Sequence, residues 1–143
     1  MNYFDTSALI KRFVEEAGST TVEAILTADP LLATSKVAYA ECTPGPQESD
    51  AKRPSRRHRI VGPSRSFDAD WQAYVRVDLA DALLLDVREL VRRHPLRGFD
   101  AIHLASAKRL RQQLGEEIVV IASDERLLAA AEVERLLTID VRR

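Results

Sequence analysis

Four acids in this chain, Asp5, Glu41, Asp100 and Asp124, stand where the apolar pattern changes, and together they are the residues best suited to chemistry. Tyr3 and Phe4 read as the end of a short buried strand, and from Ala8 the apolar spacing turns helical, which leaves Asp5 at the hinge. Asp124 follows the apolar run Glu117-Ile118-Val119-Val120-Ile121-Ala122 in the same manner. Glu41 and Asp100 fall in the first turns of helices, and Glu41, four residues after Val37, shares that valine's face. A carboxylate on an inward face costs several kcal/mol unless it is paired or holds a metal. Each acid therefore needs a partner.

For a single junction the plain explanation is structural, because Asp, Thr and Ser are the residues that satisfy the free N–H groups at a helix start. Four such junctions are harder to dismiss. In an open α/β sheet, ligands bind outside the carboxyl ends of the strands, and right-handed crossovers bring every strand-to-helix junction to that one edge. Converging carboxylates repel and hold protons unless a cation neutralises them. With oxygen donors and no cluster of His or Cys, the hard-ligand preference selects Mg²⁺ or Mn²⁺ over zinc. Such an ion usually meets phosphate, can activate a bound water and, when paired, stabilises the leaving oxygen of an in-line phosphodiester cleavage.

The elements that must position these acids alternate along the chain. After the first strand and helix, Gly18-Ser19-Thr20 starts a second helix that Asp29-Pro30 ends, and Leu31 to Thr34 is the second strand, with Ser35 as the next cap. Phe67, Trp71 and Tyr74 share a helical face ahead of a strand at Val75 to Leu79. An amphipathic helix over 80–94 turns Leu83, Leu84, Val87, Leu90 and Val91 inward. A helix from Phe99, the strand over 117–122, a helix after Ser123-Asp124 and a last strand at Leu136 to Val141 complete the series. This order predicts one α/β domain, a three-layer sandwich with a mainly parallel central sheet and helices on both faces.

At 143 residues the chain buries enough surface to fold without staples, and its single cysteine, Cys42, excludes an internal disulfide and suits a reducing compartment. No signal peptide or membrane-spanning stretch is readable, which predicts a cytoplasmic protein. A net charge of -1 excludes a global basic field, so any polyanion site is local.

Taken in order, Tyr-Phe-Asp-Thr-Ser-Ala-Leu at 3–9, Val-Ala-Tyr-Ala-Glu at 37–41, Gly-Phe-Asp-Ala-Ile-His-Leu-Ala at 98–105 and Ala-Ser-Asp-Glu-Arg-Leu at 122–127 closely resemble PIN-domain ribonucleases of the VapC toxin type. The resemblance covers residues 1–41 and 67–143. It implies a PIN-like fold and a metal-dependent endoribonuclease acting on RNA, usually a homodimer, restrained by a cognate antitoxin. Carried over by position, Asp5, Glu41 and Asp100 are the core ligands of Mg²⁺ or Mn²⁺, Asp124 is the fourth acid, and Thr6, Ser7 and Ser123 supply nearby hydroxyls. His103, one turn after Asp100, reads as a packing or supporting residue rather than a general base, since metal activation of water needs no imidazole. Asp78, Asp81, Asp86 and Asp140 read as surface or capping residues.

Between Cys42 and Ser66 the resemblance lapses. This stretch holds four of the six prolines and many Ser and Arg residues, where similar proteins carry helices of about the same length. Its composition predicts a loop that buries little, and the abrupt loss and recovery of pattern reads as a compensated frameshift. The alternative function is thus an impaired PIN-fold remnant or an antitoxin-binding protein. A phosphatase or receiver domain also places Asp after its first strand, but Asp5-Thr6-Ser7 offers no second Asp two residues on.

Overall fold

The computed structural model describes residues 1–43 and 66–143, so that the loop and frameshift readings of segment 42–66 lie, but for its ends, outside the described residues. Five strands, β1 (Asn2–Phe4), β2 (Leu32–Ser35), β3 (Val75–Val77), β4 (Val119–Ala122) and β5 (Leu137–Asp140), form one sheet in the order β3-β2-β1-β4-β5. Every neighbouring pair is parallel. The helices are α1 (Thr6–Leu9), which runs into a 3-10 turn at Ile10–Arg12, α2 (Ser19–Ala28), α3 (Val37–Cys42), α4 (Phe67–Trp71), α5 (Asp81–Arg93), α6 (Gly98–Leu114) and α7 (Glu125–Val133).

The alternation of side chains along the strands sorts the core into two layers. Tyr3, Ala33, Val77, Val120 and Ala122 meet Leu83 and Leu90 of α5, Leu104 of α6 and Leu127 of α7 on one face. Phe4, Leu32 and Ile121 meet Leu9, Val22, Ala38 and Trp71 on the other. This is the three-layer sandwich that the alternating pattern predicts, with a sheet that is parallel throughout.

The amphipathic reading of α5 needs one correction. Leu83 and Leu90 are buried and Val87 packs beside them, but Leu84 is 44% exposed and Val91 41%. The helix packs chiefly along α6, so a stripe spaced 83, 87, 90 is covered while the adjoining stripe stays in water. Tyr74 is buried as expected but lies past the end of α4, which stops at Trp71. Gly18 has φ +90°, and a Cβ there would stand 1.8 Å from the carbonyl oxygen of Val141, so the second helix can start only from glycine.

Glu134, at the end of α7, ties three helices together. Its carboxylate pairs with Lys108 of α6 and with Arg93 at 3.1 Å, and receives His94 Nε2 at 2.7 Å. Burial works to raise its pKa and is the largest single influence. The hydrogen bonds from His94 and Lys108 and the charges of Lys108 and Arg93 prevail together, so the carboxyl titrates below its ordinary range. A folded-state pKa lowered in this way contributes stability above the ordinary glutamate value and loses it as pH falls through the folded value. Glu134→Gln is expected to cost about 1.5–3 kcal/mol at neutral pH, the worth of hydrogen bonds to a charged group. Urea unfolding across a pH series checks this, with the gap between parent and variant closing as pH falls below the ordinary glutamate range.

Candidate active site

The strand order reverses direction between β1 and β4, since the chain builds outward from β1 through β2 and β3 before returning to β4 and β5. That makes the crevice at the carboxyl ends of β1 and β4 the switch point of the sheet, where α/β folds take their ligands. Asp5 leaves β1 there, and Ser123 and Asp124 leave β4. Two contacts stitch the ends together: Asp5 N–H donates to the Ile121 carbonyl at 3.1 Å, and Ser123 N–H donates to Ser7 Oγ at 2.9 Å.

Asp5 is buried, with 4% of its surface exposed. It is also the N-cap of α1, for its Oδ1 accepts the Ala8 N–H at 2.9 Å, while the Ser7 hydroxyl reaches both carboxylate oxygens at 2.8 Å. Desolvation pushes its pKa up, and the neighbouring His103, the Ala8 N–H and Ser7 recover only part of that rise. Asp124 caps α7 likewise, accepting the Leu127 N–H at 2.9 Å. Capping and candidate chemistry are therefore not alternatives here. The two acids themselves are the caps, and Thr6 and Ser7 serve the neighbouring carboxylates instead.

Glu41 stands fifth in α3, a turn further along than expected, and its Oε1 accepts Thr6 Oγ1 at 2.6 Å and His103 Nε2 at 3.0 Å. Desolvation works to raise this carboxyl, but the two hydrogen bonds and the His103 charge outweigh it and the pKa falls. The charges of Glu41 and Asp5 reach next-door Cys42, whose thiol is pushed up to about 12, first by burial and then by those two acids. Asp100, in the first turn of α6, is half-buried, and its pKa is raised by desolvation and then by the charge of Asp124.

His103 links the two halves of this arrangement. Its ring is buried, and Nδ1 lies 2.9 Å from the Tyr3 hydroxyl while Nε2 lies 3.1 Å from Thr6 Oγ1. Burial raises the Tyr3 pKa, so the phenol keeps its proton and donates to Nδ1. A proton on Nε2 is shared by Glu41 and Thr6. Tyr3 is the participant that sequence reasoning missed. A signal existed, because Tyr3 lies in the same short motif, two residues before Asp5.

The site is rich in hard oxygen donors of the kind a divalent cation takes. The Ser123 Oγ is buried without a hydrogen-bond partner among the described residues, an unmet oxygen beside the Ser7–Asp5 contact. Among the described residues no three of His, Cys, Asp and Glu are gathered tightly enough to enclose an ion. Mg²⁺ needs no such cage, since it keeps several waters and is held through one or two carboxylates. The donor set fits that ion.

A fully parallel sheet with acids at its switch point defines a class, an α/β protein with carboxylates at the carboxyl ends of its central strands. The family described as PIN domain matches residues 3–133. Ribonuclease VapC45 of Mycobacterium tuberculosis (strain CDC 1551 / Oshkosh) is 30% identical over 105 residues, covering 73% of each chain. Ribonuclease VapC49 of M. tuberculosis (strain ATCC 25618 / H37Rv) matches to the same extent, 30% over 105 residues and 73% of each chain. The chain belongs to the PIN-domain family and is of the VapC type. Its fold is shared with a toxin–antitoxin complex from Klebsiella pneumoniae, with a TM-score of 0.63, 21% identity and coverage of 90% of this chain and 91% of that one. It is shared too with FitAB bound to an IR36 DNA fragment, with a TM-score of 0.61, 11% identity and coverage of 100% and 96%.

Tyr3→Phe removes the hydroxyl that faces buried His103 Nδ1 and leaves that nitrogen unmet. The expected cost is about 1–3 kcal/mol of stability, measured by urea unfolding.

Proposed function

We propose that this chain is a metal-dependent endoribonuclease, the toxin of a type II toxin–antitoxin pair, with Asp5, Glu41, Asp100 and Asp124 as its site. The observation that supports this reading is that Asp5 and the Ser123–Asp124 junction leave adjacent strands at the switch point of the sheet, joined through Ser7, with the Asp124 charge reaching Asp100, in a chain of the VapC type. Asp5, Asp100, Asp124 and Glu41 would hold Mg²⁺ or Mn²⁺, which when bound supplies a lowered water pKa and charge stabilisation on a phosphodiester. The raised pKa values of Asp5 and Asp100 support the assignment, because carboxylates that are costly to ionise alone gain most from a cation.

The protein's own groups do the positioning. Ser7 orients Asp5, Thr6 and His103 fix one oxygen of Glu41, and the sheet holds the three junctions together. His103 gives its accessible proton to Glu41 and is thus occupied as a support rather than free as a base. A cytoplasmic location, a cognate antitoxin and a homodimer belong to the same reading. No helix among the described residues is long and apolar enough to cross a membrane.

Asp5→Asn and Asp100→Asn are each expected to abolish metal-stimulated RNA cleavage while the fold persists. Asparagine at position 5 still offers an oxygen to the Ala8 N–H, and the desolvated charge is gone. Urea unfolding with and without Mg²⁺ or Mn²⁺ supplies a second readout. Metal at a hundredfold excess over Kd is expected to stabilise the parent by about 2.7 kcal/mol and either variant by much less. Cleavage retained in both variants overturns the assignment. A parent that folds and binds metal yet cleaves no RNA favours the impaired remnant.

A further inference from the structure

Beside Asp100 and Asp124 the surface opens into a cleft of about 610 Å³. Two arginines line it, and each travels with one of the acids. Arg97 is the N-cap residue of α6, three positions before Asp100, and Arg126 lies in the first turn of α7, two positions after Asp124. Both are exposed, and neither makes an ion pair with a described residue. The rest of the lining is His94, the exposed Glu125, and the apolar Pro95, Ala129, Ala130 and 70%-exposed Val133.

The loop that carries Arg97 is anchored rather than loose. His94, which opens it, has a largely covered side chain bound to Glu134, and the Leu96 N–H donates to the His94 carbonyl at 2.8 Å. A guanidinium offered on a fixed loop, unpaired beside carboxylates, has the geometry to grip a phosphate through two parallel N–H bonds. The acids alone would repel a polyanion. Arg97 and Arg126 offset two of the three carboxylates that line the cleft, Asp100, Asp124 and Glu125.

We infer that this cleft is a subsite for single-stranded RNA, in which Arg97 and Arg126 hold phosphates flanking the bond to be cut and the apolar floor carries a ribose or base. This rests on the ribonuclease reading above. A single strand is the form that fits, because an RNA duplex presents its phosphates on a wide, rigid A-form surface rather than one at a time in a small cleft.

The test is binding of a short fluorescein-labelled single-stranded RNA, followed by anisotropy in Mg²⁺, with the full chain carrying Asp5→Asn to keep the RNA intact. Arg97→Ala and Arg126→Ala are each expected to weaken binding roughly tenfold. Each is also expected to flatten the dependence of log Kd on log salt by about 0.7, the signature of one lost phosphate contact on a single strand. Arg97→Lys, which keeps the charge without the fork, is expected to recover part of the affinity. Arg88→Ala removes an exposed arginine from α5, outside the cleft, and is expected to leave affinity unchanged.

Unchanged affinity in Arg97→Ala and Arg126→Ala overturns the subsite, as does an equal loss in Arg88→Ala, which would mark a diffuse charge effect. Cleavage by the chain with Asp5 intact reports separately on the ribonuclease reading. That reading survives if cleavage is seen while the two cleft variants bind normally. A chain that neither binds nor cleaves RNA overturns both.

Discussion

A carboxylate is held almost out of water at the end of the central strand, and much of the molecule is arranged to make that tolerable. An isolated ionised acid in the interior is costly by several kcal/mol, and Asp5 offsets this only in part through the Ala8 N–H and the Ser7 hydroxyl. What remains is a group whose ionisation is opposed by its own surroundings. In a strand interior such a group would be a defect. At the switch point of a parallel sheet it stands instead beside a crevice, because the strand ends on either side diverge there.

The parallel order of the sheet is what keeps the crevice open while gathering its walls from distant parts of the chain. Asp5 extends the β1–β4 ladder by one bond to Ile121, and Ser7 closes the next gap by accepting from Ser123. Asp124 is then presented by the same turn that caps α7. Each of these contacts joins residues more than a hundred positions apart. The local geometry is set by strand pairing and not by any nearby stretch of sequence.

The site is asymmetric. On the α3 side, Glu41 is tied to Thr6 and His103, and His103 is tied to Tyr3, so that polar groups of four elements share a network running from buried Tyr3 out to exposed Glu41. Networks of this kind are rigid when every member is satisfied. On the α6–α7 side, Asp100 and Asp124 face an open cleft with arginines at its walls and an apolar floor. One side is tied by hydrogen bonds, and the other is open to solvent.

Periodicity, capping residues and four short motifs were enough to set the order of the elements and the three layers, since these depend on residues within a turn or a strand of one another. Tertiary packing alone decided the rest. It left Leu84 and Val91 in water because α5 meets α6 along a narrower stripe than its hydrophobic pattern allows. It set Asp5 and Asp124 side by side at the crevice and turned Thr6 toward Glu41. It joined Tyr3 to His103 across a hundred positions, a contact no local pattern can announce, because a hydrogen bond between distant elements is fixed by how their helix and strand dock and not by what either sequence prefers alone.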